Sequence, residues 1–183
     1  MPRKPDPDVE ARILVAAEKL LHRGGEKALS MRKVAKLART NTPALYRRFR
    51  DKKEIMQALV QRSQRELFAA IKDCASLPEL GERALEYALS KPREYEVLTS
   101  GLFSRLSERR PNIEFVMQRS AEWLGGKPED HAGLVIALWC LMHGTAMLSI
   151  SGTFTPQYGV ELRSAYAEAV KILVSQARAP RKS

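Results

Sequence analysis

The stretch Ser30 to Phe49, SMRKVAKLARTNTPALYRRF, decides what kind of fold this chain adopts. Serine is a residue type whose hydroxyl accepts from the unpaired N–H groups at a helix start, so Ser30 reads as an N-cap. Behind it Val34, Ala35 and Leu37 supply a buried side for a short helix ending near Ala38. Arg39-Thr40-Asn41 then interrupts. A second helix begins near Thr42-Pro43, where proline suits the first turn because the N–H it lacks would have had no partner, and ends near Phe49. Two short helices joined by a three-residue turn have the dimensions of a helix-turn-helix. The second helix of such a pair leads with its N-terminal turn into a DNA major groove about 12 Å wide. Thr42, Ala44, Arg47 and Arg48 then lie where that helix can offer them to bases and phosphates.

On the upstream side, Val9, Ile13, Ala16, Ala17 and Leu20 recur at three- and four-residue steps, which predicts a helix from Asp8 to His22. Asp6 or Asp8 can cap its start, and Gly24-Gly25 stops it. Downstream, Asp51 caps a longer helix running from Lys52 to Cys74, with Ile55, Met56, Leu59, Ser63, Leu67 and Ile71 along one side. Proline and glycine punctuation sets the remaining helices near 79–91, 93–107, 111–124, 128–151 and 156–177. No segment alternates with the two-residue period of a strand, so the fold class is all-α. The expected division is residues 1–51 as the helix-turn-helix domain and 52–183 as a helical ligand-binding and dimerisation domain, with 52–74 as the connecting helix.

Charge agrees with this division. The chain carries a formal charge of +10, and residues 1–62 hold 16 Lys and Arg against 7 Asp and Glu, whereas residues 63–183 hold 15 against 14. A module that concentrates cations beside a balanced neighbour reads as a polyanion-binding part joined to a part with another job. Single basic residues decide less: Arg32, Lys36, Arg48, Arg50 and Lys53 each fit a phosphate contact or a solvated face. The two cysteines, Cys74 and Cys140, form no CxxC, which argues against a zinc site or redox pair and for reduced thiols in a cytoplasm. The polar, proline-broken start Met1 to Asp8 is no signal peptide. The longest apolar run, Leu134 to Ile150, falls short of a membrane span and contains His143, Gly144, Thr145 and Ser149, so it reads as a buried helix, with no membrane partner. No cofactor is expected.

Three separated blocks carry a family resemblance: Arg12-Ile13-Leu14-x-Ala16-Ala17-x-x-Leu20, then Ser30-Met31-Arg32-Lys33-Val34-Ala35, then Pro43-Ala44-Leu45-Tyr46-Arg47-Arg48-Phe49-x-Asp51-Lys52. Together they resemble the N-terminal domain of TetR-family regulators. The resemblance implies an all-α homodimer that reads a double-stranded operator with its second and third helices. It also implies a divergent C-terminal domain that binds a small-molecule inducer and, on binding it, releases DNA. Position by position, it makes Tyr46 and Lys52 phosphate contacts and brings Asn41, Thr42, Pro43, Ala44 and Arg47 close to bases. Ser30 and Lys33 fall on the backbone-contacting face, and Leu45 and Phe49 in the core. Read on its own, Tyr46 can equally cover core with its hydroxyl in water. Two residues depart from the pattern: Arg39 stands where the family commonly has glycine, adding a cation to the turn, and Thr40 where an apolar residue is common.

In the C-terminal two thirds, Leu134, Leu138, Leu141, Met142 and Leu148, followed by Leu162, Ala165, Ala169, Ile172 and Leu173, load the last two helices with apolar side chains. A helix apolar most of the way round must be covered on most sides, and a second subunit related by twofold symmetry is the natural cover. The His143-Gly144 pair resembles part of a Trp-His-Gly signature of one TetR subgroup, with Met142 in place of the tryptophan. His143 reads as a polar anchor facing a pocket or, preferably, a hydrogen-bonded core histidine. Phe103, Phe115, Trp123, Trp139, Met142, His143 and Met147, with Tyr95 and Met117, are the candidates to line a mostly apolar cavity, which points to an apolar or aromatic inducer.

The expected function is therefore a one-component transcription regulator, a repressor released from a palindromic operator by such an inducer. Two other classes fit the sequence less well. A sequence-neutral architectural DNA binder would spread its basic charge along the chain. An enzyme would need converging catalytic residues, yet His22, His131 and His143 form no HxxxH or HExxH pair, and neither GxSxG nor a phosphate-cradling glycine loop occurs.

Overall fold

The Ser30 hydroxyl accepts from the Lys33 N–H at 3.3 Å, and the Asn41 side chain accepts from the Ala44 N–H at 2.7 Å, so both short helices begin on side-chain caps. These contacts come from a computed structural model of the chain, which describes residues 8–99, 111–153 and 155–178. Every regular element among the described residues is helical. They are α1 (Val9–Ala28), α2 (Met31–Leu37), α3 (Thr42–Tyr46), α4 (Lys52–Ile71), α5 (Leu77–Ser90) and α6 (Pro92–Thr99). Then follow α7 (Pro111–Leu124), a 3-10 turn (Pro128–His131), α8 (Ala132–Ile150) and α9 (Pro156–Arg178). Contacts group the chain into two units, Met1–Ser63 with Glu96–Leu106, and Gln64–Tyr95 with Ser107–Ser183.

In the first unit, Ile13 and Ala17 of α1, Val34 of α2, Leu45 of α3 and Ile55 of α4 are fully buried in one cluster with Phe49 and Leu59. Each fully buried aliphatic side chain contributes roughly 1.5–3 kcal/mol, so this cluster holds the two short helices α2 and α3, which could not persist alone. The helix stop at Gly24-Gly25 is a kink: Gly25 has φ 60° and ψ −161°, a conformation open to glycine, and the chain resumes helix to Ala28. Of the two candidate caps, Asp8 has helical backbone angles and makes no side-chain cap, and Asp6 lies outside the described residues. Asp51 does cap α4, accepting from the Glu54 N–H at 2.9 Å. Glu54 reaches back to the Arg50 backbone N–H and guanidinium, both at 2.6 Å, which holds its carboxyl below the ordinary carboxylate range. Glu18, unremarkable in the sequence, is buried on α1 and takes a 2.7 Å bond from Arg62 of α4.

In the second unit, Leu85 and Ala88 of α5, Ala146 of α8, and Tyr166 and Val170 of α9 form the interior. α5 carries Gly81 in mid-helix, where glycine costs about 1 kcal/mol relative to alanine. Its reason is Tyr166: a Cβ at Gly81 would lie 2.6 Å from the Tyr166 hydroxyl oxygen. The helix expected near 128–151 is a 3-10 turn leading into α8. This 23-residue span, Pro128–Ile150, is long and apolar enough to pass for a membrane helix by length and composition, although the uninterrupted apolar run is shorter. The expectation that it is a buried helix fails within one chain. Only 22% of its most apolar window is buried, and Ile136, Trp139 and Leu148 stand exposed.

Candidate nucleic-acid interface

The turn between α2 and α3 is built on Arg39. Its φ of 53° makes it the one non-glycine residue with positive φ among those described. The Thr40 N–H bonds the Ala35 carbonyl at 3.0 Å and the Arg39 N–H bonds the Lys36 carbonyl at 3.3 Å. This 6→1 and 5→2 pair is the Schellman ending of a helix, and its left-handed residue is normally glycine. Arginine occupies it at some strain, held by the Arg12 guanidinium on the neighbouring Ala38 carbonyl at 3.2 Å. Arg39→Gly is expected to raise stability by about 1 kcal/mol, read as a higher urea midpoint. If the guanidinium also reaches phosphate, the same variant lowers the salt slope of DNA binding by about 0.9.

α3 is short, but i→i−4 bonds from the Arg47 N–H to Pro43 (3.1 Å) and from the Phe49 N–H to Leu45 (3.0 Å) continue its winding to the end expected for the recognition helix. Leu45 and Phe49 point inward, at 0% and 6% exposure, and this anchors the helix by one face. The opposite face presents the rest. Asn41, Pro43, Tyr46 and Arg47 are exposed, and Thr42 and Ala44 half-exposed. Tyr46 projects with 52% of its surface in solvent. Ser30 and Lys33 are exposed at the start of α2.

Two predicted phosphate contacts are already engaged within the protein. Arg48 lies 3.6 Å from the Glu10 carboxylate on α1, which draws its charge toward that helix. The Lys52 ammonium donates to the Glu26 carbonyl at 2.8 Å, and an ammonium keeps further donors for a phosphate. Lys52 shares a shallow hollow with Gly24, Gly25 and Lys27. Lys27 lies 25 positions from Lys52 and carries no sequence signal for this site.

Two family descriptions match the chain: "Bacterial regulatory proteins, tetR family" over residues 13–59, and "Tetracyclin repressor-like, C-terminal domain" over residues 77–173. The chain belongs to the tetR family. As a tetR-family protein it is a DNA-binding transcription regulator and not an enzyme. Solved structures share its fold at low identity. A transcriptional regulator from Streptomyces coelicolor is 22% identical with a TM-score of 0.69, over 90% of this chain and 97% of that one. A single-residue variant of TetR from Acinetobacter baumannii AYE, in complex with minocycline, is 19% identical with a TM-score of 0.63, over 93% and 97%. A TetR family regulator from Marinobacter aquaeolei VT8 is 17% identical with a TM-score of 0.63, over 96% of each chain. Comparison with curated proteins found no match. The likeness to a Trp-His-Gly subgroup finds no counterpart among these results.

Several residues expected to line a ligand pocket pack against one another or against other aromatic and basic side chains. The buried Tyr95 hydroxyl lies 2.7 Å from Nδ1 of His143 and 3.7 Å from the Met142 sulfur, and burial pushes that phenol's pKa up, keeping it protonated. His143 is hydrogen-bonded and half-buried. Trp139, 41% exposed, lies beside it with ring centroids 6.5 Å apart. Phe115 packs edge-on against Phe68, and Trp123 lies under the Arg119 guanidinium at 4.3 Å. Met147 is half-buried on α8, and Phe103 lies outside the described residues. A separate groove of about 830 Å³ runs between α5, α8 and α9, lined among others by Leu85, Leu89, Ala167 and Val170.

Proposed function

We propose that this regulator acts as a homodimeric repressor in the cytoplasm, holding a palindromic operator with α2 and α3 until a small, largely apolar effector in the C-terminal half releases it. The observation that carries the DNA reading is α3 itself. One face is locked into the core by Leu45 and Phe49, while the other turns Thr42, Ala44, Tyr46 and Arg47 outward from a capped, proline-started first turn. That is the arrangement a major-groove reader requires. Ser30, Lys33, Arg39 and Lys52 then set its register on phosphates.

The apolar faces of α8 and α9 support dimerisation through the last two helices. Ile136 and Leu148 on α8, with Tyr158 and Ile172 on α9, are exposed in the single chain, and a twofold copy covers a patch of this kind. Footprinting on the DNA flanking its own gene tests the reading: a protected palindrome supports it, and even binding to random DNA sinks it. In the variant carrying Tyr46→Phe and Lys52→Gln, operator affinity is expected to fall about 10- to 100-fold near physiological salt. The slope of log affinity against log salt should flatten by about 0.9 for the one cation removed. Sedimentation should still show a dimer. Unchanged affinity would take both residues out of the interface.

A further inference from the structure

Arg48 stands at the end of the recognition segment, one residue before the buried Phe49 and next to the exposed Tyr46 and Arg47. Its partly exposed guanidinium lies 3.6 Å from the carboxylate of Glu10, in the first turn of α1. Phosphates flank the groove that such a segment enters, so cations at this edge are the groups that meet the DNA backbone. A carboxylate at the same edge opposes docking twice: it repels phosphate, and it holds the cation that phosphate would take.

The other carboxylates near this edge are explained by local structure. Asp51 caps α4 through the Glu54 N–H at 2.9 Å, and Glu54 accepts from the Arg50 backbone N–H as well as from its guanidinium. Beside Glu26, the Lys52 ammonium is fixed on the backbone carbonyl at 2.8 Å, with the carboxylate 3.8 Å away. Glu10 differs. Its side chain is 53% exposed, and Arg48 is its one charged partner among the described residues. Lys33, Arg39 and Arg47, by contrast, form no ion pair among the described residues. An exposed pair of this kind is too weak to hold α1 against the recognition segment, a task that Ile13, Ala17 and Leu45 perform in the buried cluster. The same weakness lets phosphate displace it, because arginine binds phosphate through two parallel N–H donors, a better match than one carboxylate oxygen at 3.6 Å.

We infer that Glu10 is an internal competitor for DNA phosphate: it holds Arg48 in the free protein, must yield it when DNA docks, and so lowers the affinity for DNA of every sequence. This role rests on the reading of α2 and α3 as the DNA-contacting pair. Non-specific DNA is bound through its phosphates almost alone and outnumbers any operator, so a carboxylate that weakens this grip keeps the regulator from being held elsewhere. Fluorescence anisotropy of the full-length protein with a labelled duplex of random sequence, across about 50–200 mM salt, tests it. Glu10→Gln should tighten binding about 2- to 5-fold, the equivalent in affinity of an exposed ion pair. The slope of log affinity against log salt should steepen by up to about 0.9. In an Arg48→Gln background the same change should alter affinity by less than about 1.5-fold and leave the slope where it was. A merely structural Glu10, favouring the positive end of α1, predicts instead a lower melting temperature with the slope unmoved, and that result overturns the role. Equal effects with and without Arg48 overturn it too, because they reduce Glu10 to one more negative charge near DNA. The fragment flanking its own gene is titrated alongside: a gain on that fragment alone places Arg48 on a base and overturns the competition for phosphate. If the unaltered protein binds neither duplex, the reading of α2 and α3 fails and this role with it, whereas binding that Glu10→Gln leaves unchanged overturns the role alone.

Discussion

Leu45→Ala is expected to lower the stability of the DNA-binding unit by about 2–5 kcal/mol, the range for removing a large aliphatic side chain from a packed core. Leu45 is fully buried, and α3 spans only Thr42–Tyr46, so the loss cannot be spread over a long interface. The helix is held by Leu45, by Phe49 just beyond its end, and by the Asn41 cap. Removing the first loosens the face that presents Thr42, Ala44 and Tyr46, so operator affinity should fall with stability. Urea denaturation of this variant beside Leu45→Met gives the comparison. The methionine variant conserves volume and should lose less than about 1.5 kcal/mol. If alanine costs less than methionine, Leu45 is not the anchor described.

Gly81→Ala is expected to destabilise the C-terminal half by about 1–3 kcal/mol, although alanine is the better helix former. The added Cβ would meet the Tyr166 hydroxyl oxygen at 2.6 Å, inside any tolerable contact. Tyr166 is buried and cannot swing away as a surface side chain would. The sign should reverse in a Tyr166→Phe background. The nearest ring atom then lies 3.7 Å from the new Cβ, an ordinary contact, and alanine's helix preference of about 1 kcal/mol is released. Thermal melts of the two single variants and the double variant form a cycle whose non-additivity measures this one contact. Additive effects would show that Gly81 is not there for Tyr166.

Much of the DNA-binding unit could be read along the chain because its signals are local. Ser30, Asn41, Pro43 and Asp51 act within one helical turn, and Ile13, Ala17 and Ile55 declare their burial through three- and four-residue spacing. Arg39 was legible as a departure in the turn, and its positive φ follows from the Schellman bonds that close α2. Glu18 was not, because a carboxylate among polar neighbours looks solvated until Arg62 of α4 folds over it.

The C-terminal half was less legible for the same reason reversed. Aromatic and sulfur side chains were the obvious candidates for a pocket. Yet Phe115, Met142 and His143 find partners in Phe68 and Tyr95 from other helices, and Trp123 finds Arg119 on its own helix. The groove between α5, α8 and α9 is lined by residues with no sequence signature, such as Leu85, Ala167 and Val170. Helix periods, caps, proline starts and the distribution of charge are properties of consecutive residues, so the all-α class and the helix-turn-helix were present in the order of the amino acids. Which hydroxyl is left without a partner, which glycine makes room for a tyrosine and which face of α8 stays bare depend on how distant helices meet. Those matters were decided only when Tyr166 came to rest against Gly81.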